Sequence, residues 1–136
     1  MNIKNLRIGV ILGGWGPERS ISLKTGDAVI SALCKAGCKV KRVELKPSDR
    51  RRISSIISGL PRIIDVAFIT LHGQFGEDGT LQAMLEAKGL PYTGSGVLAS
   101  VTGMDKILTK FLLTSAGVPV PSGIIVSKDR PVTMKL

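Results

Sequence analysis

The chain has 136 residues, 43% of them hydrophobic but with only one Trp and one Tyr, which predicts a single aliphatic core. No apolar run reaches the ~18–20 residues that cross a bilayer, so we expect no membrane contact. The net charge is +9, concentrated in residues 39–52. No aromatic side chains interleave with those cations, which favours a solvated surface over a nucleic-acid site.

Strand and helix patterns alternate along the chain. Turn residues, mostly Gly and Pro, separate the segments. The predicted strands are 7–12, 38–45, 63–71 and 91–93, with a further possible strand at 123–127. The predicted helices are 22–36, 50–58, 80–88 and 105–116, with a helical turn at 97–102. This order predicts an α/β fold with a parallel sheet, and the continuously apolar strands predict helices on both faces.

Cys34 and Cys38 stand at C-x3-C spacing, with no second cysteine pair and no nearby histidine. That spacing matches neither a zinc site nor a redox CxxC motif. We expect two small, buried or half-buried thiols in a reducing compartment, which fits a cytoplasmic protein.

Two glycine-rich stretches follow predicted strands: GGWGPE at 13–18 and HGQFGEDGT at 72–80. In parallel sheets ligands bind beyond the carboxyl ends of the strands, so both loops should face one crevice. The first loop is not a GxGxxG motif, and a nucleotide pyrophosphate would not favour Glu18 at a helix start. Glu18 would suit a ligand ammonium, or it could simply complement the helix dipole; spacing alone leaves both open.

Ser20 and Ser22 follow Glu18 at the start of the predicted helix. Either hydroxyl could accept a hydrogen bond from a free backbone N–H, so helix capping is the default interpretation. Capping does not exclude contact with a ligand.

His72 is the only histidine in the chain and ends a buried strand. A lone histidine is often structural, but its place at a strand end, beside Gly73 and Gly76, favours a site. Glu77 and Asp78 are adjacent, so we interpret them as a loop brace and a helix cap rather than a catalytic pair. We find no metal-ligand set here.

A third glycine-rich turn, Tyr92-Thr93-Gly94-Ser95-Gly96, follows the last short strand. Further on, Lys106 and Lys110 lie one turn apart on one helix. The two lysines could belong to a solvated face, or Lys106 in the first turn could reach a phosphate.

These residues resemble a known family. LGGWGPERSISLKTGDAV resembles the first signature of D-alanine–D-alanine ligases, and HGQFGEDGTLQAMLEAKGLPYTGSGVLASVTGMDKILTK resembles the second. The likeness runs from about residue 7 to residue 121. It implies a Rossmann-like (pre-ATP-grasp) fold and an ATP-grasp ligase. Such enzymes join two D-alanines for peptidoglycan, using ATP and Mg²⁺ to activate one carboxylate for attack by the second amine.

The resemblance also implies roles for individual residues. Glu18 matches the glutamate that holds the amino group of the first D-alanine, and His72 matches a histidine of that subsite; these two are the candidate catalytic residues. The remaining candidate substrate-binding residues are Ser22, Gly73, Tyr92 and Ser95. Lys106 matches a lysine that approaches the nucleotide phosphates.

The chain departs from the family pattern at a few positions. Ser20 stands where Glu is common, Thr25 stands where Ser is common, and Trp15-Gly16-Pro17 replaces a smaller, more polar triplet. Because Trp15 is large and close to the proposed amine site, it bears on the choice of substrate.

Length is the largest difference, because full ligases have three domains. We expect residues 1–103 to form the substrate-binding Rossmann-like domain and 104–136 to begin an incomplete ATP-grasp central domain. This chain alone should then neither bind ATP tightly nor turn over.

The family also implies a homodimer. The alternative function is a non-catalytic Rossmann-like module, derived from such a ligase, that binds a small molecule; a basic interaction protein explains the paired glycine loops poorly.

Overall fold

A computed structural model describes residues 3–126. The strands are β1 (Arg7–Gly13), β2 (Lys39–Leu45) and β3 (Val66–Ile69), and the helices are α1 (Arg19–Lys35), α2 (Ile53–Gly59), α3 (Thr80–Glu86), α4 (Val97–Met104) and α5 (Lys106–Ser115). Short 3-10 turns occupy Ile3–Asn5, Pro47–Arg52 and Leu60–Arg62. No helix among residues 3–126 is long and apolar enough to span a membrane.

The three strands form one parallel sheet in the order β2-β1-β3, which confirms the predicted α/β fold. The central strand β1 pairs with β2 along its whole length and with β3 from Ile8 to Ile11. Beyond β3, a single parallel bridge joins Ala67 to Tyr92. All strands therefore end at the same edge of the sheet, where their loops gather.

Side chains of β1 alternate between two buried layers, because successive residues of a strand point to opposite faces. Leu12 lies under Gly26 of α1. Ile11 belongs instead to the main apolar cluster, which includes Ile57 of α2 and Leu81 of α3. Helices thus cover both faces of the sheet, as the continuously apolar strands predict.

Several predicted boundaries were wrong, each for a local reason. The first helix begins at Arg19 rather than at 22, since the turn after Pro17 is already helical. The predicted strand 63–71 shrinks to Val66–Ile69, because a 3-10 turn precedes it and the chain leaves the sheet at Thr70. Residues 91–93 form only the bridge, and residues 123–126 form no strand; Ser127 lies outside the described residues.

The chain divides into two compact units, the first ending at Val101 and the second beginning at Thr102. In the second unit Asp105 caps α5 by accepting hydrogen bonds from the backbone N–H groups of Ile107 and Leu108. The apolar side chains of this second unit are largely exposed; the exposed fraction is 67% for Phe111 and 78% for Ile124. The assignment of 1–103 and 104–136 to two named domains stays a prediction.

Gly26→Ala should destabilise the first unit, since a Cβ there would lie 2.7 Å from Leu12 Cβ and 3.0 Å from Thr70 Oγ1. Overpacking of this kind costs about 1–3 kcal/mol, which exceeds the gain of up to about 1 kcal/mol from replacing a helical glycine. Gly59→Ala is the matched control, because nothing lies within 4 Å of its added Cβ. Urea unfolding of both variants should rank Gly26→Ala lowest in stability; equal values would contradict the close packing of α1.

Candidate active site

The first glycine loop is tied to the end of β2 by backbone and side-chain bonds. Gly14 N–H donates to Leu45 O at 2.8 Å. The guanidinium of Arg19 donates to Gly14 O at 2.9 Å and to Leu45 O at 2.6 Å, and it pairs with Glu44 at 2.5 Å. Arg42 and then Arg19 lower the pKa of Glu44 by hydrogen bonding to its carboxylate. The role of Arg19 was not predicted, because a cation in the first turn of a helix does not by itself indicate contact with a neighbouring strand.

Ser22 ties the same loop to the end of β3. Its side chain is fully buried, and its hydroxyl accepts a hydrogen bond from Gly13 N–H at 2.8 Å while donating one to Thr70 O at 2.8 Å. The N-cap of α1 is Glu18, with no side-chain capping bond, so the prediction that Ser20 or Ser22 caps the helix was wrong. Both hydrogen-bonding functions of Ser22 are used inside the protein, which suits it to position the loops.

The second glycine loop is braced from within. Gly73 N–H donates to Glu77 Oε2 at 2.7 Å. The Asp78 carboxylate accepts from Phe75 N–H at 2.8 Å and from Thr80 N–H at 3.0 Å, at the start of α3. These contacts confirm that Glu77 braces the loop. The N-cap of α3 is Gly79, so the prediction of a helix cap by Asp78 was wrong, although Asp78 accepts from the first N–H of the helix.

The structure brings Glu18 and the His72–Gly73 segment together. A Cβ on Gly73 would collide with the Glu18 carboxylate, and Gly73 also has a φ of +66°, so this position strongly favours glycine. The Glu18 side chain is exposed and makes no hydrogen bond or ion pair with any residue from 3 to 126. Its oxygens are therefore available to a ligand donor, although its N-cap position also satisfies the dipole interpretation.

His72 directly precedes Gly73, and one nitrogen of its ring has no partner among the described residues. Its side chain is 32% exposed, and Nδ1 lies 3.7 Å from Glu77 Oε1. Nε2 is buried and has no hydrogen-bond partner among the described residues. Buried polar atoms are almost always paired, so this unpaired nitrogen is a candidate contact for a ligand atom or an ordered water.

An aromatic contact joins the two loops. The rings of Trp15 and Phe75 lie 4.7 Å apart between centroids, with a tilt of 43°. Phe75 holds a φ of +74°, a conformation that is uncommon for a residue with a side chain. This pair was not predicted from the sequence, because the two residues lie far apart along the chain.

Tyr92 and Ser95 lie on the third turn, beyond β3. The Tyr92 hydroxyl donates to Glu86 Oε1 at 2.6 Å, and this hydrogen bond raises the pKa of Tyr92 to about 12. Ser95 is exposed, and its carbonyl accepts from the Ser100 hydroxyl at 3.3 Å. Within residues 3–126 no hydrogen bond joins either residue to Glu18 or His72, so their substrate contacts stay predictions.

Lys106 lies in the second unit, as the first residue of α5. It lines a cavity of about 520 Å³ together with Lys110 and Phe111, and Lys110 donates to Pro121 O at 2.9 Å. Among residues 3–126 there is no group of three or more His, Cys, Asp or Glu side chains that could hold a metal ion.

A family model for the D-ala D-ala ligase N-terminus matches residues 48–95. The D-alanine–D-alanine ligase of Carboxydothermus hydrogenoformans is 46% identical over 124 residues, covering 91% of this chain and 38% of the relative. That of Desulforudis audaxviator is 49% identical over 115 residues, covering 85% of this chain and 36% of the relative. Over most of its length this chain is similar to D-alanine–D-alanine ligases, and the family model that it matches is that of their N-terminus. The chain spans less than half the length of these relatives.

The structural comparison agrees with the ligase homology. The D-alanine–D-alanine ligase of Bacillus anthracis, solved in complex with ATP, matches with a TM-score of 0.81 and 35% identity. The match covers 96% of this chain and 43% of that ligase. The resemblance of the two signature stretches to this family is thereby confirmed.

Ser22→Ala should destabilise the protein by about 1–3 kcal/mol, because Gly13 N–H and Thr70 O would be left buried and unpaired. Ser20→Ala removes the same hydroxyl from an exposed position of the same helix and should be nearly neutral. Urea unfolding measures both. If the two variants unfold at the same urea concentration, Ser22 does not hold the strand ends together.

Proposed function

We propose that this chain supplies the amino-acid-binding side of a D-alanine–D-alanine ligase, with Glu18 binding the ammonium group of the first D-alanine. The observation that carries the proposal is the unpaired Glu18 carboxylate lying against Gly73, the residue that follows His72, whose Nε2 has no partner among the described residues. Both groups stand at the carboxyl ends of parallel strands, where open α/β sheets bind their ligands.

The proposed work of Glu18 is orientation. A carboxylate that accepts charge-assisted hydrogen bonds from an ammonium fixes the position of a small amino acid without exchanging a proton. The missing side chain of Gly73 leaves room for that carboxylate, and His72 Nε2 offers one further polar contact. Ser22 would then act indirectly, by holding the two loops in register, while Tyr92 and Ser95 form a more distant wall.

Nucleotide and metal belong to the longer protein in this proposal. ATP would supply the activation of the substrate carboxylate, and Lys106, exposed at the start of α5, would contact a phosphate. Mg²⁺ is usually bound by one or two carboxylates together with substrate phosphates, and residues 3–126 contain no group of three or more metal-ligating side chains. We therefore propose that this chain alone neither binds ATP tightly nor turns over, which an assay of D-alanine-dependent ADP release would test.

The proposal also covers the cellular location and the oligomeric state. Cys38 is buried but Cys34 is exposed, so the expectation of two buried or half-buried thiols was wrong for Cys34. Both thiols are free, which supports a reducing, cytoplasmic setting. A homodimer stays a prediction, and sedimentation velocity at several protein concentrations would test it.

Glu18→Gln should weaken D-alanine binding to the chain by about 10- to 100-fold, the range expected for loss of a hydrogen bond between charged groups. Chemical-shift titration of the isotope-labelled chain measures the affinity. Asp27→Asn is the matched control, because it removes one exposed negative charge from the same helix. D-Lactate, which carries a hydroxyl in place of the ammonium, should bind no better to the native chain than D-alanine binds to Glu18→Gln.

A chimaera extends the test to catalysis. Residues 1–121 would replace the matching part of the Bacillus anthracis ligase, and phosphate release would be followed with D-alanine and ATP. An active chimaera that Glu18→Gln cripples and Asp27→Asn spares supports the ligase role. An inactive chimaera, combined with D-alanine binding by the chain itself, would favour the non-catalytic binding module.

A further inference from the structure

A second cavity lies in the first unit. Its volume is about 280 Å³, and its walls come from the first glycine loop, the start of α2, the second glycine loop and α3. Neither Glu18 nor His72 lines it. It therefore shares the two loops of the candidate active site without sharing the groups assigned to the amino acid.

Apolar side chains form much of the cavity lining. They include the paired rings of Trp15 and Phe75, with Ile53 and Met84 beside them. Trp15, Ile53 and Met84 are partly buried and pack against the main apolar cluster, so each is held in place while one part stays open to the cavity. Such a surface favours a flat or bulky apolar group.

The cavity rim carries a positive charge that can bind a ligand. Arg50 lines the cavity, is exposed, and makes no hydrogen bond or ion pair with any residue from 3 to 126. The nearby Arg52 differs, because it pairs with Asp49 at 2.9 Å. Asp78 is the one acidic residue of the lining, and its two oxygens already accept the backbone N–H groups of Phe75 and Thr80.

We propose that this cavity binds a small carboxylate with an aromatic body, its ring against Trp15 and Phe75 and its carboxylate on Arg50. An apolar cavity of about 150 Å³ already accepts benzene, so the observed volume leaves room for a ring and a short acidic arm. A guanidinium binds a carboxylate through two parallel hydrogen bonds, which selects an acid over its neutral amide. This site is independent of the ammonium site assigned to Glu18.

Trp15 reports on the cavity directly, because it is the only tryptophan in the chain. The probes are 3-phenylpropionate and its neutral amide, titrated while Trp15 fluorescence is excited beyond the absorbance of the phenyl ring. The acid should perturb the emission in a saturable manner and bind about tenfold more tightly than the amide. Arg50→Gln should remove that preference, and Arg51→Gln should keep it, since Arg51 is an exposed neighbour outside the lining.

A second variant tests the cavity itself. Ser54 is an exposed lining residue, so Ser54→Phe should fill the space and abolish binding of both probes without disturbing the core. Circular dichroism would verify that each variant is folded. Saturating D-alanine should leave the probe affinity unchanged if the two sites are separate.

Three results would overturn the proposal: no saturable change of Trp15 emission, equal affinity for acid and amide, or equal behaviour of Arg50→Gln and Arg51→Gln. Direct competition by D-alanine would show instead that the probe occupies the amino-acid site. An emission change that follows protein concentration in the absence of probe would show that a second copy of the chain covers the cavity. Each of these outcomes leaves the test of Glu18 unaffected.

Discussion

The buried hydroxyl of Ser22 is the interaction on which the candidate site depends. It accepts from Gly13 and donates to Thr70, so a single side chain of α1 satisfies the backbone at the ends of two neighbouring strands. Without a partner each backbone group would be buried and unpaired. The loops that carry Glu18 and His72 both leave from these points, so this oxygen atom, together with the contact between Trp15 and Phe75, fixes their spacing.

The close approach of the two loops then depends on the absence of a side chain at Gly73. Any side chain there would displace the Glu18 carboxylate, while the positive φ already disfavours other residues. The braces from Glu77 and Asp78 hold the loop in that conformation. Among residues 3–126 the Glu18 carboxylate on one loop and His72 Nε2 on the other both lack a partner, and the two loops meet at Gly73, which suits a small polar ligand.

Sequence patterns predicted the fold better than they predicted contacts. Continuous apolar runs identified β1 and the general position of β3, and the parallel order followed from alternation with helices. The role of Ser22 was not predictable in this way, because its acceptor Thr70 lies 48 residues along the chain. The contact between Trp15 and Phe75 was not predicted for the same reason, because the two residues are distant in the sequence. The strand expected at 123–127 was wrong over 123–126, since apolar character alone does not provide a pairing partner.

The position of β1 bears on how this family can change in length. β1 is paired along both edges and buried on both faces, so an inserted or deleted residue would turn every later side chain of the strand to the opposite layer. Changes in length are therefore tolerable mainly in exposed connections, such as the segment around Pro61.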